Sequence, residues 1–241
     1  MRDLAARLVV VSWVVLASAG VRAEPSGYRL RLEAGTDFPA AVGARLSTEF
    51  PHRLRVSTTL GALPTPYVDT INAVVVALDG YPQTTADLIR DALQNSLIWR
   101  IQAGWRPFAA HGFYADLGYG LVTLGGGATG DQIIAAATGQ SPTASTRGRE
   151  YDIRSTLHML TVEIGWEWSL WRDRISLRAA IGGAFTLGSL TSIRPQFTTS
   201  GPAEARLVQA FTSFGEGYLD GIYTSYVHTP VLSVAGGYRF F

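Results

Sequence analysis

The sequence predicts an all-β membrane protein: a closed, antiparallel, up-and-down transmembrane β-barrel of about eight strands, with short helices in its long extracellular loops. Three observations lead there. Segment after segment alternates apolar and polar residues with the two-residue period of a strand, and no stretch beyond the leader approaches the ~20 apolar residues of a spanning helix. The polar faces of these segments carry Arg, acids and small residues, a set suited to a crowded lumen. Aromatic residues gather at one end of the strands, beside short turns or a terminus.

Residues 1–23 have the three parts of a secretory signal peptide: Arg2 and Arg7, an apolar run from Leu8 to Ala19, and Val21-Arg22-Ala23 before Glu24. Cleavage after Ala19 is the weaker alternative, because it leaves Val21 and Arg22 on the mature N-terminus. Residues 24–241 then form one barrel domain, with no linker or second domain. The chain has no Cys, which excludes disulfides, a lipidated Cys and thiolate metal sites. Its near-neutral balance, formally +1 over the whole chain, gives no support for nucleic-acid binding.

Strand one runs from Tyr28 to Ala34, and a turn follows at Thr36 to Pro39. Strand two sets Val42, Ala44, Leu46 and Phe50 against Gly43, Arg45, Ser47 and Glu49; Pro51-His52-Arg53 turns the chain back. Strand three sets Leu54, Val56, Thr58 and Leu60 against Arg55, Ser57, Thr59 and Gly61. Strand four, Leu97 to Trp105, carries Arg100, Gln102 and Gly104 on its polar side, and Arg106 to Gly112 turns. Strand five runs from Phe113 to Leu121, strand six from Leu160 to Trp168, and strand seven from Ile175 to Phe185 after a turn at Trp171 to Arg174. The terminal strand, Leu232 to Phe241, is the eighth, and closing it onto the first removes both sheet edges.

The polar faces hold seven Arg (Arg29, Arg31, Arg45, Arg55, Arg100, Arg178, Arg239) and five acids (Glu33, Glu49, Asp116, Glu163, Glu167), nearly balanced, as buried charges need to be. Turning one such Arg into lipid costs ~2–4 kcal/mol at the midplane, so the apolar faces look outward. The aromatic girdle is Tyr28, Phe50, Trp105, Phe113, Trp166, Trp168, Tyr238 and Phe240. The charge set is expected to fill and cross-link the lumen; the competing reading is a narrow path favouring anions through the excess of two Arg.

Connections after strands two, four and six are short, and those after three, five and seven are long, as on the periplasmic and extracellular sides of such barrels. Helices are expected at Tyr67–Leu78, Ala86–Leu93, Asp131–Ala137 and Ala203–Phe214, packed as a cap over the mouth. Contact of the Asn72–Leu78 helix with the outer leaflet is the alternative to the cap. Gly125-Gly126-Gly127 reads as a loop hinge. Pairing of Val74–Leu78 as a strand would raise the barrel to ten.

The ending Tyr238-x-Phe240, extended by Phe241, resembles the C-terminal signal of bacterial outer-membrane barrels, and the architecture resembles the small eight-stranded barrels of the OmpA and OmpX type. That resemblance implies the outer membrane of a Gram-negative cell, recognition of Tyr238, Phe240 and Phe241 by the barrel-assembly machinery, outer-membrane lipid as surroundings and a monomer. A structural or surface-binding role, with an unidentified ligand of the loops, comes first. A small gated pore or transporter for small or apolar solutes is second, and it predicts a continuous pocket from the loop helices into the lumen. A lipid A modifying enzyme is third, since some such barrels act with a His and a Ser near the outer rim. His158 and His228 lie at that level, but Thr156 and Tyr226 are their same-face neighbours and Ser155 is on the opposite face. His52 and His111 fall in the short turns. No catalytic residue, metal ligand or cofactor is assigned.

Overall fold

In the computed structural model of the chain, residues 29–93, 95–108, 112–139, 149–171 and 174–240 are described. The expected leader, Tyr28, His111 and Phe241 lie outside them. Eight strands follow one another around a closed antiparallel ring: β1 (Arg29–Phe38), β2 (Ala41–Glu49), β3 (Leu54–Ala62), β4 (Asn95–Trp105), β5 (Phe113–Thr129), β6 (Glu150–Leu170), β7 (Ile175–Pro195) and β8 (His228–Arg239). β8 pairs back onto β1 from Leu232 opposite Phe38 to Arg239 opposite Arg31. Closure leaves no free sheet edge over this height.

Outward residues through the lower barrel are apolar and exposed, among them Leu32, Val56, Ile101, Leu117, Ile164 and Val234. Inward residues at the same height are buried Arg, Glu, Asp, Ser and Thr. Phe50, Trp105, Trp166, Trp168, Tyr238 and Phe240 all project outward at the short-turn end, and the Phe113 and Trp166 rings meet edge-on at 4.9 Å. The β2–β3 turn is tight enough to hold His52 and Arg53 at positive φ, 67° and 64°.

Strands β5, β6 and β7 run well past their expected ends at Leu121, Leu160 and Phe185 and rise above the rest of the barrel. Gly125, Gly126 and Gly127 are therefore not a hinge; they pair with Arg154, Ile153 and Asp152 inside the β5–β6 ladder. On β6 the inward set changes from Glu167, Glu163 and Thr161 to Met159, Leu157, Ile153 and Tyr151, while the outward set changes from Trp166, Ile164 and Val162 to His158, Arg154 and Asp152. The apolar stripe thus moves from the outside to the inside between Leu160 and Met159. β7 accommodates its partner through a bulge at Leu187, opposite the step from His158 to Met159.

Four helices fill the upper end. α1 (Thr65–Ala77) starts with Pro66 in its first turn and stops before Asp79 at φ 57°. It carries Val74 and Val75 through its last turn, so no ninth or tenth strand forms there. α2 (Gln83–Ala92) buries Thr85, Ala86, Leu88 and Ile89 on one face. α3 (Gly130–Thr138) has a capping box between Thr129 and Gln132 and ends at Gly139 with φ 72°.

α4 (Pro202–Tyr226) is twice the length expected from Ala203–Phe214. Glycines at 215, 217 and 221 lower its intrinsic propensity, and packing holds it instead. Its buried stripe is Val208, Thr212, Gly215, Leu219, Ile222 and Tyr223. A Cβ on Gly215 would lie 2.9 Å from the Ile193 side chain, so the helix approaches β7 closely there. The β7–β8 ladder ends at Phe185 and His228, and α4 covers β7 beyond that point: Ile193 N–H donates to the Glu216 carboxylate at 2.8 Å, and Ser189 and Thr191 hydroxyls donate to Asp220 at 2.9 and 2.7 Å.

Candidate functional site: the charged lumen and the chamber above it

Two carboxylates organise the lower lumen. Glu163 on β6 receives a two-pronged contact from Arg45 on β2, both N–O distances 3.0 Å, together with Arg178 at 2.7 Å and the Tyr114 hydroxyl at 2.6 Å. Arg178 also donates to Glu33 at 2.9 Å, and Arg45 donates to Thr59 at 3.1 Å. Above this knot Asp37 pairs with Arg100. Nearer the short turns, Glu167 pairs with Arg31, with Arg106 at 2.9 Å and with Arg55 at 3.7 Å. Glu49 lies 3.6 Å from both Arg31 and Arg106, and Asp116 lies 3.3 Å from Arg55. The Arg55 guanidinium rests 3.9 Å from the centre of the Tyr114 ring, which joins the two knots.

Several pairs reach across the ring, β2 to β6, β1 to β6 and β4 to β1, while Arg178–Glu163 and Arg31–Glu49 join neighbouring strands. Voids between the charged side chains are about 10 Å³ each, at the limit of holding one water molecule. Glu33, Arg45, Arg178 and Glu167 are all buried, and the opposite charge that each meets is what allows it.

The membership of the set differs from the expected one. Arg29 is exposed at the start of β1, and Arg239 is only half-buried. Asp37 and Arg106 belong to the network although the sequence pattern puts both in turns: β1 continues to Phe38, and Arg106 follows β4 with its backbone N–H bonded to the Arg53 carbonyl at 3.0 Å. Among the described residues, the pairs named above join six Arg and six acids. Tyr114 is legible as inward from strand parity, but its bond to Glu163 is not.

Above Arg100 the interior turns apolar. A cavity of about 90 Å³ lies between this floor and the helices, walled by Ile98, Val122, Leu157, Met159 and Ala184 and roofed by Val68, Ile89 and Tyr223. The roof is held by hydrogen bonds between loops. Asn72 donates to the Ala86 carbonyl at 2.9 Å and accepts from the Tyr81 hydroxyl at 2.7 Å. Thr85 and Tyr218 both donate to the Ala136 carbonyl, at 3.1 and 2.7 Å. Burial pushes the Tyr81 phenol up to about 12. Burial does the same to Tyr223, also to about 12, with the nearby Ser155 hydroxyl pulling the other way. At the rim, Glu204 at the start of α4 is held below the usual carboxylate range by the Ser200 backbone N–H, at 2.6 Å, and then by Arg149.

Neither histidine has assembled a hydrolytic pair. His158 points outward and bonds Tyr119, and His228 accepts from the Thr186 backbone N–H at 3.2 Å. Ser155 faces inward, 2.9 Å from Thr191, which joins it to Asp220 and so ties β6 and β7 to α4. Among the described residues no Ser or carboxylate is hydrogen-bonded to either ring.

No protein-family model matches the chain, and no curated protein matches it. Solved structures similar to it include the following two. A major outer membrane protein from Thermus thermophilus is 13% identical, with a TM-score of 0.44, over 90% of this chain and 100% of that one. CarO of Acinetobacter baumannii is 9% identical, with a TM-score of 0.37, over 91% of this chain and 100% of that one. The architecture rests on the continuous strand ladders of the chain itself.

Proposed function

We propose that the chain is a bacterial outer-membrane β-barrel that stands in the bilayer as a closed, non-conducting surface protein, its charged lumen a structural plug and its helical end facing outward. The apolar outward belt supports membrane insertion, with the aromatic girdle at the periplasmic interface and the short turns in the periplasm. The single observation that carries closure is the Glu163 and Glu167 pair of knots, which cross the lumen, with voids of about one water each beside Glu163 and Arg178 among the described residues. The barrel is a monomer in lipid, and Tyr238 and Phe240 are its contacts with the assembly machinery.

A gated pore needs a path from the helices into the lumen, whereas the apolar cavity stops at Arg100. Planar-bilayer recording discriminates the two. Wild type and a variant lacking residues 67–93 are both expected to stay silent after verified insertion, while combined Arg45→Ser, Glu163→Ser and Arg178→Ser substitution yields current steps. Current through the helix deletion alone would make the helices the lid and overturn the closed reading.

A further inference from the structure

We propose that the chamber between the ion-pair plug and the helices is a binding site for one small, neutral, predominantly apolar molecule carrying a single hydrogen-bonding group, of the size of a phenol. It goes beyond the closed-barrel reading and does not depend on whether the lumen conducts.

The size and lining set the class. A water molecule needs ~10–15 Å³ of such space, so about 90 Å³ holds a body of roughly six to nine heavy atoms. Walls of Ile98, Val122, Leu157, Met159 and Ala184 favour apolar surface and give water few partners. A charged ligand is excluded by the same walls, because the one ionised group that lines the chamber, Arg100, is already paired with Asp37. Thr161, at the floor, is 4% exposed, and its hydroxyl has no hydrogen-bond partner among the described residues. A buried polar group of that kind favours a ligand able to complete it. In the roof, Asn72 and Tyr81 are bonded to each other, and the buried Tyr223 hydroxyl lies beside Ser155.

Strand pairing is incomplete in the barrel wall beside the chamber. The β1–β8 ladder begins only at Phe38 and Leu232, whereas the β7–β8 ladder continues up to His228. Residues 228–231 of β8 therefore have a strand neighbour on one side alone. Ala40, Val227 and Thr229, beside this notch, line the chamber. Phe38 stands where the β1–β8 ladder ends, its ring edge-on to Tyr67 of α1 at 5.0 Å.

Met159 supplies a reporter. The chain has two Met, and the other is Met1. With [methyl-13C]methionine in the full barrel in lipid nanodiscs, titration with 4-fluorophenol is expected to shift the Met159 methyl signal saturably. Ala184→Leu, which fills the chamber, abolishes the shift while the barrel keeps its folded gel mobility. Thr161→Val weakens 4-fluorophenol up to about tenfold but leaves fluorobenzene unchanged, as loss of one hydrogen bond requires. Hexanoate and hexylammonium give no saturable shift. A response that is linear in probe, or that persists in Ala184→Leu, overturns the site; an equal response to the ions overturns the ligand class. Phe38→Ala is expected to speed exchange, read from the Met159 linewidth, and unchanged exchange overturns the notch as the entrance.

Discussion

Glu163→Gln removes one charge and hardly any volume from the middle of the plug. Glu163 accepts two hydrogen bonds from Arg45, one from Arg178 and one from Tyr114. Bonds to charged groups contribute about 1.5–3 kcal/mol each, but adding four overstates the loss, because the Gln carbonyl keeps part of the set. The better guide is a buried ion pair stripped of one partner, which costs about 3–5 kcal/mol. Arg178 retains Glu33 at 2.9 Å, whereas Arg45 forms its ion pair with Glu163, so Arg45 is the stranded charge. Against a total stability of ~5–15 kcal/mol the effect is large. Urea titration of the barrel in liposomes, followed by tryptophan fluorescence and gel mobility, reads it directly. Adding Arg45→Met removes the stranded charge, so the double variant is more stable than the sum of the single losses by about 1–3 kcal/mol. A single variant within about 0.5 kcal/mol of wild type, or losses that simply add, would refute the plug as the element holding the lumen.

Two further predictions concern the helical end. Because the folded Glu204 carboxyl is held below its ordinary 4.5, its contribution is complete above that pH and is lost as pH falls through the lower folded value. Pepsin is therefore expected to cut near Pro202 increasingly below pH 4.5, and Glu204→Gln brings the same looseness to neutral pH in a protease assay; a variant as resistant as wild type at neutral pH would remove Glu204 as the anchor. Asn72→Leu leaves the buried Tyr81 hydroxyl and Ala86 carbonyl without their partner, a local loss of about 1–3 kcal/mol. Hydrogen exchange over α1 and α2 should rise with the barrel's urea midpoint unchanged, and exchange as slow as in the wild type would remove the Asn72 bonds as the tie between the two helices.

The lower barrel is legible because each strand there obeys one rule over its whole spanning length, apolar outward and polar inward. The inward set Arg31, Glu33, Arg45, Arg55, Arg100, Asp116, Glu163, Glu167 and Arg178 follows from parity alone. Partner choice does not, because it depends on which strands face each other across the ring. Asp37 and Arg106 are hidden for a different reason. Pro39 and Pro107 mark turns, and the residues just before them read as part of the turn although their side chains still enter the lumen.

The missing upper strands have a single physical cause. Below Leu160 the surroundings of β6 are apolar, so its outward residues are Trp166, Ile164 and Val162; above it the outside is water, so the apolar residues must turn inward, against the helices. Inverting the pattern on an unbroken strand places two apolar residues side by side, one on each face: Met159 and Leu160 on β6, Leu121 and Val122 on β5, Val231 and Leu232 on β8. A period-two reading takes such a doublet as the end of a strand, which is why it stops β5 and β6 too early. The same doublets mark a physical boundary. β6 from Leu160 to Trp168 has the length of a spanning strand, about 9–11 residues, and the doublets on β5, β6 and β8 ring the barrel where that span ends. The chamber begins at this ring, with Met159 and Val122 in its wall. The charged plug accordingly occupies the depth at which the barrel is surrounded by lipid, and the apolar interior begins where the surroundings become aqueous. One chain thus satisfies opposite burial rules on the two sides of a single level.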